Sequence, residues 1–351
     1  RTHPSALRVA GCGDPAGRGR ESMAIVEISP AAFQAPEPEL SILIVTWNSQ
    51  RWIERCLRSI PAACEGLTYE IVLYDNDSHD RTLQLLSDDV RVVASQSNYG
   101  FAGAINRAIA TTRGPFVFLL NPDCNLGPRC LTELVEFLRT HPVVAAAAPL
   151  LADERGNSQR EFQLRRFPTV MTFAVDVLAI DKVWPSNPVS AAYRYRDIDL
   201  THPRPVDQPA AAALLFRREV FDELGPLDEQ FFPAWFEDVD YCRRLADAGK
   251  EIWIVPAAQA RHFGGASLEH VPFERFVDLW YRNMWRYARK WFRPAQAEAL
   301  RWIVMTGMIL RLPAAAAGLA HPEVGRRSAL KAYSGVLKRA FERWDDSSPS
   351  S

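Results

Sequence analysis

The sequence predicts an α/β fold, a mainly parallel sheet flanked by helices on both faces, and three observations support it. Short apolar runs rich in β-branched residues alternate with stretches of helical period. Each run closes on polar residues suited to loops. At 351 residues and 48% hydrophobic content, the chain can bury a large core.

In chain order, SILIVTW (41–47) reads as a strand, followed by a helix carrying Trp52, Ile53, Cys56, Leu57 and Ile60. YEIVLYDND (69–77) repeats the plan, with Thr82, Leu83, Leu85 and Leu86 in the helix behind it. VRVVAS (90–95) is a third strand, and FAGAINRAIATTRG (101–114) a helix with Gly114 placed to cap its end. GPFVFLLNPD (114–123) and CLTELVEFLRTHP (130–142) give a fourth strand and helix. Residues 152–208 read as an irregular excursion over the site, and 210–225 resume a strand or helix pattern. VDYCRRLADAG (239–249) is an amphipathic helix ended by Gly249, and EIWIVP (251–256) a final core strand. Residues 1–38 and 346–351 lack sustained periodicity and are expected to be disordered.

Composition narrows the function. With 41 basic and 42 acidic residues the net charge is -1, which gives no overall reason to bind nucleic acid. The six cysteines are scattered without a CxxC pair, and no apolar signal segment precedes them, so reduced thiols in the cytoplasm are expected.

Sheets of this class bind ligands beyond the carboxyl ends of their strands, and polar residues gather there at 46–48, 75–77 and 121–123. Asp123 after LLNP offers a carboxylate of the kind Mg²⁺ or Mn²⁺ takes alongside phosphate oxygens, although NPD alone also makes a turn. Asp75 with Asn76 suits a pyrimidine edge and a ribose, while Asp77 or Ser78 suits a helix cap. Gly100 and Gly103 lie at a helix start, where free N–H groups favour phosphate or sugar oxygens; Asn98 and Asn106 suit the same task or plain capping. In AWFEDVDYC, Asp238 and Asp240 fit the first turn of a helix, but capping leaves Glu237 and the aromatic residues before it unexplained. A carboxylate screened from water there would act as general base toward an acceptor hydroxyl. His262 can complete the metal shell with Asp123, or be a structural histidine.

IVTWN, DNDSHDRT, NYGFAGAIN, FLLNPD, LDEQFFPAWFEDVDYCRR and HFGGAS, in that order, resemble family 2 glycosyltransferases of the GT-A fold, closest to the rhamnosyltransferase-like branch, from about Ser41 to His270. The resemblance implies a GT-A unit over 39–272, with a nucleotide-binding half to about 150 and an acceptor half after it. It implies that Thr46, Trp47 and Asn48 border the nucleotide, that Asp75 and Asn76 hold its base, and that Asn98, Gly100 and Asn106 approach the donor. Asp123 would bind the metal bridging the diphosphate with His262 beside it, and Asp238, preceded by Glu237, would be the catalytic base. Two departures stand out: Asn121 occupies the place of the first Asp of a DxD metal motif, and Ala210 to Ala213 that of a common glycine. The reaction implied is inverting transfer from a nucleoside diphosphate sugar, with dTDP-rhamnose as the branch's donor, to a glycan or lipid-linked acceptor in cell-surface polysaccharide synthesis. Nucleotidyl transfer or phosphohydrolysis at the same site is the competing reading, and a silent nucleotide-sugar-binding protein a third.

Residues 273–345 form a helical extension in which Arg282, Arg286, Arg289, Lys290, Arg293, Arg301 and Arg311 interleave with Trp280, Trp285, Trp291, Phe292, Trp302 and Ile303. This reads either as a basic aromatic face for anionic lipid at the inner face of the cell membrane, or as helices packed on the catalytic part. Arg301, Arg311 and Pro313 argue against a spanning helix.

Overall fold

The computed structural model describes residues 26–27, 37–264, 271–319 and 324–344. The rest of the expected tail, the end 346–351 and the last residues of HFGGAS lie outside these. Within the expected tail, β1 (Val26–Glu27) forms a strand.

β2 (Leu40–Thr46), α1 (Ile53–Ala63), β3 (Tyr69–Asn76), β4 (Val90–Ser95), α2 (Gly100–Ile109) and β5 (Phe116–Leu120) build the first half. Here β4, β3, β2 and β5 lie side by side and parallel, and β1 adds antiparallel to β4. β2 is buried on both faces: Leu40, Ile42 and Ile44 pack in one layer and Leu43 in the other, as a covered parallel strand must. Two local expectations fail. The helix expected after β3 is one 3₁₀ turn, Thr82–Leu85, where Asp80 takes both the Thr82 N–H at 2.9 Å and its hydroxyl. Gly114 does not cap α2, which ends at Ile109; a Cβ there would lie 2.8 Å from the Ser41 nitrogen, so its use is close passage beside β2.

The second half makes the sheet mixed. β6 (Cys124–Leu126), α3 (Cys130–Thr140) and β7 (Val144–Ala152) are followed by the excursion α4 (Arg160–Gln163), β8 (Leu164–Arg165), α5 (Val170–Val177), α6 (Ile180–Val183), α7 (Pro188–Tyr193), β9 (Arg204–Val206) and β10 (Gln208–Pro209). β11 (Ala213–Arg217), α8 (Glu219–Leu224), α9 (Glu237–Asp247) and β12 (Glu251–His262) complete it. β11 lies antiparallel between β5 and β7, and β12 runs parallel to β7 and antiparallel to β6. The expected final strand, 251–256, is longer than foreseen. A register shift after Val255 carries it past Pro256, and its far end pairs His262 with Cys124. His262 is thus a strand residue, not a loop residue.

α10 (Phe273–Trp291), α11 (Pro294–Ala316) and α12 (Arg326–Phe341) close the chain. Their core, with Trp285, Tyr287, Leu300, Met308 and Val336, also takes in Phe173, Phe231 and Phe236. Trp280, Trp291, Phe292 and Ile303 pack against it. The basic aromatic face is therefore corrected: of its aromatic and aliphatic members only Trp302, 58% exposed, stands on the surface.

Candidate active site

A cavity of about 630 Å³ opens beyond the ends of β2, β3 and β5. Trp47, Asn48, Asn76, Asn98, Gly100 and Asn121 line one side, and Glu237 and Asp238 another. Eight of the expected site residues, from five separate chain segments, thus face one space.

The others are placed differently. Thr46 and Asp75 are buried behind the wall, the Thr46 hydroxyl donating to Asp75 at 2.9 Å while the Ser78 N–H donates to its other oxygen at 3.0 Å. Asn48, at φ 52°, donates its N–H to the Ser78 hydroxyl at 2.8 Å and accepts from the His79 N–H at 2.8 Å. These bonds lace the first two strand-end loops together. Asn106 does not reach the cavity; its amide clamps Leu227 in both directions, at 2.9 and 2.8 Å, and donates to Glu229.

The start of α2 is not an open anion cradle. Tyr99 N–H donates to Asn76 Oδ1 at 2.7 Å, Gly100 N–H to Asn98 Oδ1 at 2.8 Å and Phe101 N–H to the Pro233 carbonyl at 2.7 Å. Asn76 Nδ2 in turn donates to Asn98 Oδ1 at 3.0 Å and to the Gly100 carbonyl at 3.1 Å. The two asparagine amides hold this turn, so neither is left to read a base with its full set of groups. Gly100 is required twice over: its φ is +71°, and a Cβ would come within 2.6 Å of the Pro233 carbonyl.

That carbonyl belongs to the aromatic segment before α9, where Trp235 and Phe236 both hold left-handed backbone at φ 74° and 76°. Such residues cost about 1–2 kcal/mol each and persist only where their surroundings impose them. Asn283 of α10, fully buried, imposes them: its amide donates to the carbonyls of Phe231 and Ala234 at 2.8 Å and of Trp235 at 3.3 Å. Phe236 packs against Phe173, Trp280 and Tyr287. Asn283 escaped the sequence reading, since one polar residue in an amphipathic helix gives no local signal of a partner fifty positions away.

The carboxylates behind this segment have three separate fates. Asp240, fully buried, accepts from Trp291 Nε1 at 2.8 Å and Arg244 Nε at 3.2 Å, with Lys290 at 2.9 Å. It ties α9 to α10 rather than merely favouring the helix dipole. Asp238 lies one residue inside α9, whose cap position is Phe236. It accepts from the Ala211 N–H at 3.3 Å and the Val239 N–H at 2.8 Å. Burial raises its pKa above the usual 3.8, opposed by those N–H groups and by Arg165. Glu237 is buried with Oε2 unpartnered, and burial, then repulsion from Asp238, raises it well above the usual 4.5.

Behind the cavity wall, next to the lining residues Asn121 and Pro122, sit Asp123 and His262, each about 5% exposed, with Nε2 to Oδ1 at 3.5 Å. Gln159 fixes the ring: its Nε2 donates to the His262 carbonyl at 2.8 Å, so its Oε1 is the acceptor for His262 Nδ1 at 3.1 Å. Neutral His262 then carries its proton on Nδ1 and turns a bare Nε2 toward Asp123. Phe162, which lines the cavity, stacks on the ring at 4.7 Å. Asp123, Cys124 and His262 place ligand atoms within 4.8 Å of one another. Cys124 is no ligand as it stands, because burial keeps it a thiol and its sulfur points to the Ala212 carbonyl at 3.3 Å. A carboxylate and an oriented imidazole, close to the cavity, fit Mn²⁺ or Mg²⁺ with its remaining positions open.

One further residue eluded the sequence. Arg165 lies in the two-stranded ribbon β8–β10 opposite Gln208 and lines the cavity near Asp238. Its guanidinium makes no hydrogen bond or ion pair with another described residue.

Comparison with known proteins agrees with this geometry. The family model for glycosyl transferase family 2 matches residues 41–225, more than half of the chain. The N-acetylglucosaminyl-diphospho-decaprenol L-rhamnosyltransferase of Mycobacterium tuberculosis is 28% identical over 78% of this chain and 91% of its own. The rhamnosyltransferase WbbL of Escherichia coli is 26% identical over 63% and 82%. Among solved structures, the Pyrobaculum calidifontis mannosyltransferase PcManGT with GDP-Man and Mn²⁺ superposes with a TM-score of 0.53 at 17% identity, covering 94% of this chain and 92% of that one. GalNAc-T7 with UDP, GalNAc and Mn²⁺ gives 0.52, also at 17% identity, over 87% and 56%. The fold is GT-A, and the chain belongs to glycosyl transferase family 2.

Proposed function

We propose that this glycosyltransferase moves a sugar, with inversion, from a nucleoside diphosphate donor to a hydroxyl of a glycan or lipid-linked acceptor. The observation that carries the reading is that Asp238, a carboxylate with backbone-fixed geometry and a raised pKa, shares one cavity with the strand-end residues Trp47, Asn48 and Asn121. Rhamnose is the sugar that the two rhamnosyltransferase relatives support, with dTDP-rhamnose the donor that the family resemblance implies, and the M. tuberculosis relative supports a lipid diphosphate acceptor.

In this scheme the nucleotide lies along the Trp47–Asn48 edge. Asp238 takes the proton of the acceptor hydroxyl as its oxygen attacks the anomeric carbon from the face opposite the diphosphate. Raising the pKa of Asp238 makes it a stronger base toward the acceptor hydroxyl. Burial and the neighbouring Asp238 charge favour the neutral form of Glu237, which limits like-charge repulsion on Asp238. Arg165 is free to meet the charge of the departing diphosphate. Asp123 and His262 would hold Mg²⁺ or Mn²⁺, which supplies charge neutralisation to the leaving group when bound. With Asn121 in place of an acid, the site has one fewer protein ligand for the ion.

A thermal-shift screen of nucleotide sugars with and without Mn²⁺ tests this, since ligands that bind only the folded state raise its stability. The expected result is a metal-dependent rise with dTDP-rhamnose, then dTDP and an inverted glycoside when acceptor is added. Release of pyrophosphate or orthophosphate would point to nucleotidyl transfer or phosphohydrolysis instead.

A further inference from the structure

We propose that the outer faces of α11 and α12 dock the protein on an anionic lipid bilayer. α11 exposes Ala299, Trp302, Thr306, Ile309, Leu310 and Pro313 along one side, at helical spacing and without a charge. Trp302, Ile309 and Leu310 are 58%, 54% and 63% exposed, where a water-facing helix would carry polar residues. The charges that interrupt the sequence of this helix turn inward. Arg301 is buried against Glu298 and the Ala340 carbonyl, and Arg311 donates to the carbonyls of Val177 and Asp176.

α11 is long and apolar enough, by length and composition, to cross a membrane. It instead buries Leu300, Val304 and Met308 in the core it shares with α10 and α12. At Gly307 it approaches so closely that a Cβ would meet Val177 at 2.6 Å. Only one side is left for lipid, which is the geometry of a helix lying in the interface plane.

The charge beside the stripe identifies the occupant. Among the described residues, α12 and those just after it expose Arg326, Arg327, Lys331, Lys338 and Arg343 against Glu342, itself 3.9 Å from Lys338. Arg343 reaches Glu298, one turn before Trp302, at 3.7 Å, so the basic face borders the apolar one. A second copy meeting this patch by two-fold symmetry would set like charges together, whereas anionic headgroups complement them. On the inner side of α11 lies α5, whose Thr172, Phe173 and Asp176 line the cavity. A single helix thus separates the proposed lipid face from the site.

The test is co-sedimentation of the full chain with vesicles of phosphatidylglycerol and phosphatidylcholine in equal parts, against phosphatidylcholine alone. Binding is expected to the anionic vesicles and to weaken as salt rises. Trp302→Glu with Ile309→Glu should lower it at least about tenfold. Lys331→Gln with Lys338→Gln should lower it about fivefold for each charge lost. Unchanged thermal unfolding and far-ultraviolet circular dichroism would show that these variants fold. No sedimentation of the wild type, or variants that bind as well as it does, overturns the proposal. So does a dimer in size-exclusion chromatography that Trp302→Glu with Ile309→Glu splits while vesicles bind nothing. None of these readouts depends on the identity of the transferred sugar.

Discussion

Both Asp238 oxygens accept backbone N–H groups, from Val239 at 2.8 Å and Ala211 at 3.3 Å, so Asp238→Asn keeps the shorter contact, gives up the longer one and removes the base. Donor affinity should hold, and kcat should fall by about 10²–10⁴; a variant with full turnover would remove Asp238 from the chemistry. Because burial raises this carboxylate, the acid limb of the kcat profile should lie above the usual 3.8, with rate rising as pH rises through it. Glu237 makes a prediction about stability. Its folded pKa lies well above the unfolded value near 4.5, so its burial favours folding fully only below 4.5. Above that pH the unfolded chain releases a proton the native state keeps, and stability falls by about 1.4 kcal/mol per pH unit until the folded pKa is reached. Glu237→Gln removes that slope. Its Tm should exceed the wild type's at pH 7–8, with the gap closing toward pH 4.5; equal slopes in a pH series of melts would show that Glu237 is ionised in the fold. At this scale the sequence named residues better than roles. Trp47, Asn48, Asn76, Asn98 and Asn121 reach the cavity because strand ends in a parallel sheet converge. That Asn76 and Asn98 hold a turn and that Asn106 grips Leu227 depends on partners 22 to 121 positions away, which no local pattern encodes.

Between elements, the decisive contact is that of α10 with the aromatic segment leading into α9. Asn283→Ala would strip three carbonyls of their donor, costing about 1–3 kcal/mol and releasing Trp235 and Phe236 from left-handed backbone. The expected signature is a fall in kcat with donor Kd unchanged, because the donor side of the cavity rests on other strands. Equal losses in kcat and donor binding would mean general unfolding instead. Gly100→Ala strains the same junction from the α2 side, adding about 1–2 kcal/mol of left-handed backbone cost to a clash with the Pro233 carbonyl; the melting temperature checks it. Elements with strong apolar runs, such as β2, β3 and β5, were legible as strands. β7 was not, because its alanines carry no β-branched signal. They are chosen for the tight fit of a strand buried in both layers, Ala146, Ala147 and Ala148 being wholly covered. β12 was read six residues short because Pro256 looks terminal, whereas the register shift after Val255 absorbs it.

For the whole molecule, the question is whether α10 to α12 form an appendage or part of the catalytic fold. The helical core draws Phe173, Phe231 and Phe236 from the GT-A part, so removing the three helices would bare these rings to water. It would also take Lys290 and Trp291 from Asp240, leaving that buried carboxylate with Arg244 as its remaining side-chain partner. Breaking a buried ion pair by removing one partner typically costs about 3–5 kcal/mol, a large share of a domain's total of about 5–15. Asn283 leaves with the same helix, so the stability loss and the loss of the ordered Trp235–Asp238 segment should come together. A chain truncated after Pro272 should therefore lack a cooperative thermal transition, and the intact chain should melt in one step by both near- and far-ultraviolet circular dichroism. If the truncated chain melted cooperatively and still bound the nucleotide sugar, the extension would be a separate module, and Asp238 would owe its position to the sheet alone.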